Sequence, residues 1–159
     1  MSEMIINTAK VLRQVMQQQV QAVPEELFDV QIAGFNNTIR WNVGHIIYWM
    51  DRYSTLSFAS PSAIPDSYET LFNSGTKPSE WSSAPPAKDE MLELLASQLN
   101  RMTELTTEML DEKLSTPYDM GPFQFTTAGE LFNFAIIHEA IHLGTISSQL
   151  KGSIALTQV

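Results

Sequence analysis

The sequence predicts an all-α fold: a four-helix bundle with a long crossover connection between its second and third helices. Three observations predict it. Four segments carry apolar residues at steps of three and four, the spacing of one helix face. No segment sustains the alternation of a strand. The Ser- and Pro-rich stretch of residues 60–86 is longer than neighbouring helices need, and suits a return along the bundle.

The first pattern runs from about Glu3 to Val23, with Ile5, Leu12, Met16, Val20 and Val23 at helical spacing. Ser2 is its expected N-cap and Pro24 its stop. The second covers about Asn37 to Ala59. Its stripe of Ile39, Val43, Ile46, Ile47 and Met50 is broadened by Trp49, Tyr53 and Leu56. Residues 67–72 are expected to form a helical turn within the crossover. The third helix is expected from about Ala87 to Asp111, carried by Met91, Leu95, Leu99, Met102, Leu105 and Met109, with Pro85 and Pro86 at its start. Residues 115–126 read as an ordered, aromatic loop. The fourth helix opens at Thr127, which forms a capping box with Glu130, and continues to Lys151, where Gly152 is the natural C-terminal cap. No internal repeat or boundary interrupts the pattern, so residues 1–159 read as one domain.

Composition narrows the function. No apolar run approaches the roughly 18 residues that span a bilayer, which argues against a membrane protein. The start, Met1-Ser2-Glu3-Met4, lacks the basic residues and cleavage site of a signal peptide, giving a cytoplasmic expectation. With no cysteine, disulfides, thiolate zinc sites and cysteine nucleophiles are excluded. Eighteen Asp and Glu face nine Lys and Arg, a net charge of -9, and the basic residues are scattered singly. A nucleic-acid binder needs a concentrated basic face, so none is expected here.

The chemistry lies in three histidines. His138 and His142 are four residues apart and project from one face of the fourth helix. On a helical wheel they align with Leu131, Ala135, Thr145 and Gln149, the centre of its apolar arc, bounded by Phe134 and Ile141 on one side and Ile146 and Leu150 on the other. Two imidazoles are thus aimed into the core, where each needs a hydrogen bond or a metal. One buried histidine ordinarily bonds a nearby hydroxyl or carbonyl. A pair at ligand spacing, with His45 as a third donor on the second helix, points to a divalent metal. His45 falls at the edge of its own helix's apolar arc, so that helix must be rotated or broad-faced for it to reach the site.

His138 to His142 also spell the HExxH pattern of zinc peptidases. Only 17 residues follow His142, none of them His, Asp, Glu or Cys, and no strand is expected beside the helix, so the peptidase context is missing. Glu139 lies about 100° around the helix from His138. It is a candidate general base beside the metal, and equally a supporting or surface carboxylate.

The segments Trp41-Asn42-Val43-Gly44-His45, Thr127-Ala128-Gly129-Glu130-Leu131 and His138-Glu139-Ala140-Ile141-His142-Leu143-Gly144 together resemble the DinB/YfiT-like superfamily of metal-binding four-helix bundles, over essentially the whole chain. The resemblance implies that His45, His138 and His142 ligate one divalent transition metal per chain, zinc or nickel before iron or cobalt. It also implies a homodimer. Among the activities of such relatives, it implies a metal-dependent thiol S-transferase joining a low-molecular-weight thiol to a small electrophile. A metal-dependent hydrolase and a non-catalytic metal- or ligand-binding bundle are the alternatives. Trp41, Trp49, Tyr53 and the Tyr118-to-Phe125 segment are candidate pocket walls, or ordinary bundle packing. One departure stands out: many relatives carry glutamine where this chain has Thr145. That weakens the implication of catalysis and leaves the metal ligands untouched.

The dispersed basic residues make the salt-dependent phosphate term small. Gel-shift titration at physiological salt is therefore expected to give no complex with duplex or single-stranded DNA at micromolar protein; a sub-micromolar affinity would contradict this.

Overall fold

A computed structural model describes residues 2–157, which are mostly helical. Four long helices, α1 (Ser2–Ala22), α2 (Ile39–Phe58), α4 (Lys88–Thr103) and α6 (Ala128–Thr157), are accompanied by the short α3 (Ser67–Phe72) and α5 (Thr107–Asp111). An antiparallel hairpin, β1 (Lys113–Met120) and β2 (Phe123–Thr127), precedes α6.

Side-chain bonds between the long helices fix their directions. Arg13 with Glu139 and Gln19 with Ser147 pair α1 and α6 in the same chain sense. Arg13 with Gln98, and Lys88 with the carbonyls of Gln21 and Val23, set α4 antiparallel to α1. Asn42 with Gln149 and His45 with His138 set α2 antiparallel to α6. Hence α2 and α4 run the same way, and residues 59–87 join them. The helical turn expected at 67–72 is α3 itself.

Four expectations are corrected. The third helix does not run unbroken to Asp111: it ends at Thr103, and Thr106 accepts from the Met109 backbone N–H to cap α5. The apolar step through Leu105 and Met109 survives that break, so periodicity alone could not reveal it. The aromatic segment is a hairpin, with Tyr118 opposite Phe125 and Met120 opposite Phe123. Its strand signal is obscured by Pro117, at a register irregularity, and by its largely exposed faces. Helix α6 continues through Gly152 to Thr157: Gly152 is not among the glycines with positive φ, so it does not make the left-handed turn of a C-terminal cap. Ser2 is the first helical residue described, not a cap, and its hydroxyl donates to Asp111. The Thr127–Glu130 capping box forms as expected: each backbone N–H is bonded by the other's side chain.

The interior is divided. One apolar cluster gathers Met16 and Val20 with Ile46, Ile47, Met91, Leu95 and Ile146. The other gathers Ile6 and Ala9 with Met50, Tyr53, Met102, Leu131, Phe132 and Ala135. On α1 the buried line is Ile6, Ala9, Arg13, Met16 and Val20, rotated slightly from the Ile5–Leu12 stripe the sequence suggests. Arg13, Gln98 and Glu139 fall between the two clusters on their respective helices. Helix α2 is buried on nearly every side from Ile39 to Met50, since α3, α4 and α6 all pack on it.

Gly44 sits where α2 meets α3. A Cβ at this position would overlap the Phe72 ring, so only glycine allows the two helices to approach this closely. Gly44→Ala is expected to destabilise the protein by about 1–3 kcal/mol through overpacking. Urea denaturation read by tryptophan fluorescence checks this, and an unchanged midpoint would contradict it.

Candidate metal centre

Helix α6 presents His138 and His142 one turn apart, and antiparallel α2 brings His45 against both. The three ring centroids are 4.7 to 5.0 Å apart. One ring nitrogen from each lies within 4.8 Å of the others, and no fourth His, Cys, Asp or Glu joins that set among the described residues. His45 is buried, while His138 and His142 are half-buried and leave one side of the cluster open. The edge position expected for His45 did not require a rotated helix: α2 has no exposed edge at this level.

Two of the three tautomers are set by neighbours. Nδ1 of His45 lies 2.7 Å from the Phe72 carbonyl, which only accepts, so that nitrogen carries the proton and Nε2 holds a lone pair. Nδ1 of His142 lies 2.7 Å from Oδ1 of Asn42. The Asn42 amide donates to the Thr38 carbonyl and to Oε1 of Gln149, which makes Oδ1 its acceptor end. His142 therefore donates from Nδ1 and also keeps Nε2 free. Nε2 of His138 is 3.2 Å from Nε2 of His45. In the metal-free chain the proton of that contact belongs to His138, because His45 Nε2 has none. Such outer partners, a carbonyl and a side-chain amide, are the kind that hold metal-ligating imidazoles in place.

The same burial keeps the rings neutral. Desolvation, aided by the neighbouring imidazoles, lowers the His45 pKa to about 3 and the His138 pKa to about 4, and desolvation lowers that of His142. Three neutral imidazoles with converging lone pairs are a donor set that suits a divalent transition ion. Imidazole donors do not select among zinc, nickel, iron and cobalt.

Aromatic rings surround the cluster. Trp41 stacks on His45 with centroids 4.4 Å apart, and its indole N–H donates to Thr76. Trp49 and Tyr53 approach His138 edge-on. The hairpin adds Tyr118 against Tyr53 and Phe125 against Phe134, one ring further out. The candidate wall residues are thus brought together in two tiers.

Glu139 faces elsewhere. It is 1% exposed, and its Oε2 accepts from Arg13 at 2.8 Å, on α1. Burial raises its pKa against the opposing effect of Arg13. No hydrogen bond joins it to the histidines among the described residues. Strands do precede α6, yet the carboxylate that a zinc peptidase would use is turned into the core. Thr145, at the position of the family glutamine, donates to the Ile141 carbonyl of its own helix. Sequence reasoning missed Asn42 and Gln149, which orient His142, and Arg13 and Gln98. The signal was available: each is a polar residue on an otherwise buried helix face.

Fold and cluster together define a mostly helical protein with a cluster of three histidines that could hold a metal ion. The sequence profile of the DinB superfamily matches residues 9–146, and the chain belongs to that superfamily. A DinB-like protein from Bacillus subtilis, YjoA, has a similar structure: TM-score 0.62, with 93% of this chain and 90% of that chain covered at 15% identity. At that identity the likeness concerns the fold alone. No curated protein matches the chain.

The depressed histidine pKa values predict an acid-sensitive fold. In the unfolded chain these rings take up protons near pH 6.5, whereas in the folded chain His138 and His45 resist until about 4 and 3. Their contribution is therefore present above about pH 6.5 and is lost as the pH falls toward 4. Thermal melts of metal-free protein between pH 7.5 and pH 4.5, run beside His138→Ala and His45→Ala, are expected to show a shallower decline in the variants; equal slopes would contradict the assignment.

Proposed function

We propose that this chain is a divalent-metal protein in which His45, His138 and His142 each give one imidazole nitrogen to a single ion, zinc or nickel before iron or cobalt. The convergence of three neutral ring nitrogens within 4.8 Å carries this reading. The proposal takes residues 1–159 as one four-helix bundle domain of α1, α2, α4 and α6, with 59–87 as its crossover.

The activity we propose is that of a metal-dependent thiol S-transferase. An ion held by three protein donors keeps positions open for a ligand, and favours thiolate over thiol or hydroxide over water. His138 and His142 are half-buried, which gives a small molecule access, and Trp41, Trp49 and Tyr53 border the rings as apolar walls. The thiolate sulfur would form a bond to an electrophilic carbon as a halide leaves or an epoxide C–O bond opens, with solvent supplying a proton to the opened oxygen. Hydrolysis of the peptidase kind needs a carboxylate base. Glu139, the candidate for that task, is bonded to Arg13, which supports thiol transfer over peptide hydrolysis. A homodimer belongs to the same reading, supported by the exposed Ile137 and Ile141 on the outer side of α6.

Elemental analysis of tag-free protein is expected to find close to one divalent metal per chain. His45→Ala is expected to weaken cobalt binding more than about a hundredfold, because a direct ligand is lost, and to change the visible ligand-field bands while the helical circular dichroism remains. A protein that takes up no metal would sink the proposal, and an unchanged spectrum would remove His45 from the centre. With that metal bound, a panel of small thiols against epoxides and alkyl halides should yield thioethers. Turnover of esters without thiol would favour the hydrolase, and no turnover of either would favour a non-catalytic binding protein.

A further inference from the structure

We propose that Arg13, Gln98 and Glu139 form a positioning layer that holds the two ligand-bearing helices in register, although two of its three members lie on helices that carry no ligand. The inference rests on the metal centre proposed above.

The layer is continuous. Nη2 of Arg13 donates to Oε2 of Glu139 at 2.8 Å, and Nη1 donates to Oε1 of Gln98 at 2.6 Å. The Gln98 amide then donates to the Ile47 carbonyl of α2 at 2.8 Å. One chain of bonds thus runs from α6 through α1 and α4 to α2. It leaves α6 one residue from His138 and reaches α2 two residues from His45. All three side chains are withdrawn from water, Arg13 completely. On α1 the layer falls between Ala9 and Met16, on α4 between Leu95 and Met102, so it separates the two apolar clusters at the level of the histidines.

Packing alone does not fix this register. Apolar burial is non-directional, whereas the buried Arg13 guanidinium would lose both of its charge-assisted bonds if the helices slid. Its Nε and Oε1 of Glu139 already lack partners among the described residues, so little is left to compensate. A helix shifted by one turn would leave Arg13 and Glu139 unpaired in the core. The same shift would separate His45 from His138 and His142. The ion pair and the ligand set therefore demand the same alignment.

The test separates positioning from mere stability. Exchanging both charges for apolar side chains in Arg13→Met/Glu139→Met removes the bonds without stranding a charge and leaves only the neutral Gln98 Oε1 without its donor. The metal-free protein is therefore expected to stay folded, with at most a modest drop in melting temperature. Its cobalt affinity is nevertheless expected to fall about tenfold or more, with shifted ligand-field bands, as on loss of groups that orient ligands. Gln98→Met, which removes the Arg13–Gln98 and Gln98–Ile47 bonds and keeps the Arg13–Glu139 pair, is expected to shift affinity and bands the same way, and serves if the double variant does not fold. Wild-type cobalt affinity and spectrum in either folded variant would overturn the layer's role and leave the metal centre standing. A wild-type chain that binds no cobalt would overturn both.

Discussion

Arg13 and Glu139 are both taken out of water, and the middle of this protein is arranged around that fact. Two charges in a low-dielectric interior are tolerable only when paired and hydrogen-bonded. The pair draws in Gln98, and Gln98 draws in a carbonyl of α2, until four helices are tied at one level. The apolar core is consequently two clusters with a polar floor between them. Breaking one partner leaves a buried charge exposed to nothing, a cost far above that of an ordinary surface ion pair.

The histidines obey the same rule at the same height. A buried imidazole needs partners for both ring nitrogens, and the fold supplies one to two of the rings while leaving the other nitrogens turned toward each other. Phe72 serves His45, and the Asn42–Gln149 pair serves His142. Gly44 links this to packing: its missing side chain lets α3 approach, and α3 ends in the carbonyl that sets the His45 tautomer. Desolvation then keeps the rings unprotonated at neutral pH, the state in which imidazole is a ligand. The arrangement of the three rings is thus set by hydrogen bonds and burial alone.

The hairpin shows how a weak local signal becomes structure. Two strands alone are marginal in water. Tyr118 and Phe125 give this pair a reason to persist, because Tyr118 meets the Tyr53 ring edge-on and Phe125 packs against Phe134, and Tyr53 in turn borders His138. The ordered loop that the sequence suggested and the hairpin that forms are one set of aromatic contacts.

By itself the sequence determined the four long helices, the turn at 67–72, the Thr127–Glu130 cap and the shared face of His138 and His142. Each is a matter of local spacing or local hydrogen bonding, which the helix period and the capping pattern encode directly. The break before Thr106 was hidden, since a cap inside a continuing apolar period leaves the period intact. How His45, already named by the sequence as the third histidine, comes to lie against the pair, and whether Glu139 faces it, were decided by tertiary structure. Helix α2 is enclosed on nearly every side around His45, so its wheel has no informative edge there, and His45 meets the pair because α6 lies antiparallel to it. Glu139 stands one residue from a ligand candidate, yet a turn of about 100° per residue delivers it to another neighbour. That neighbour is Arg13, more than a hundred residues away in sequence, and no local pattern names it.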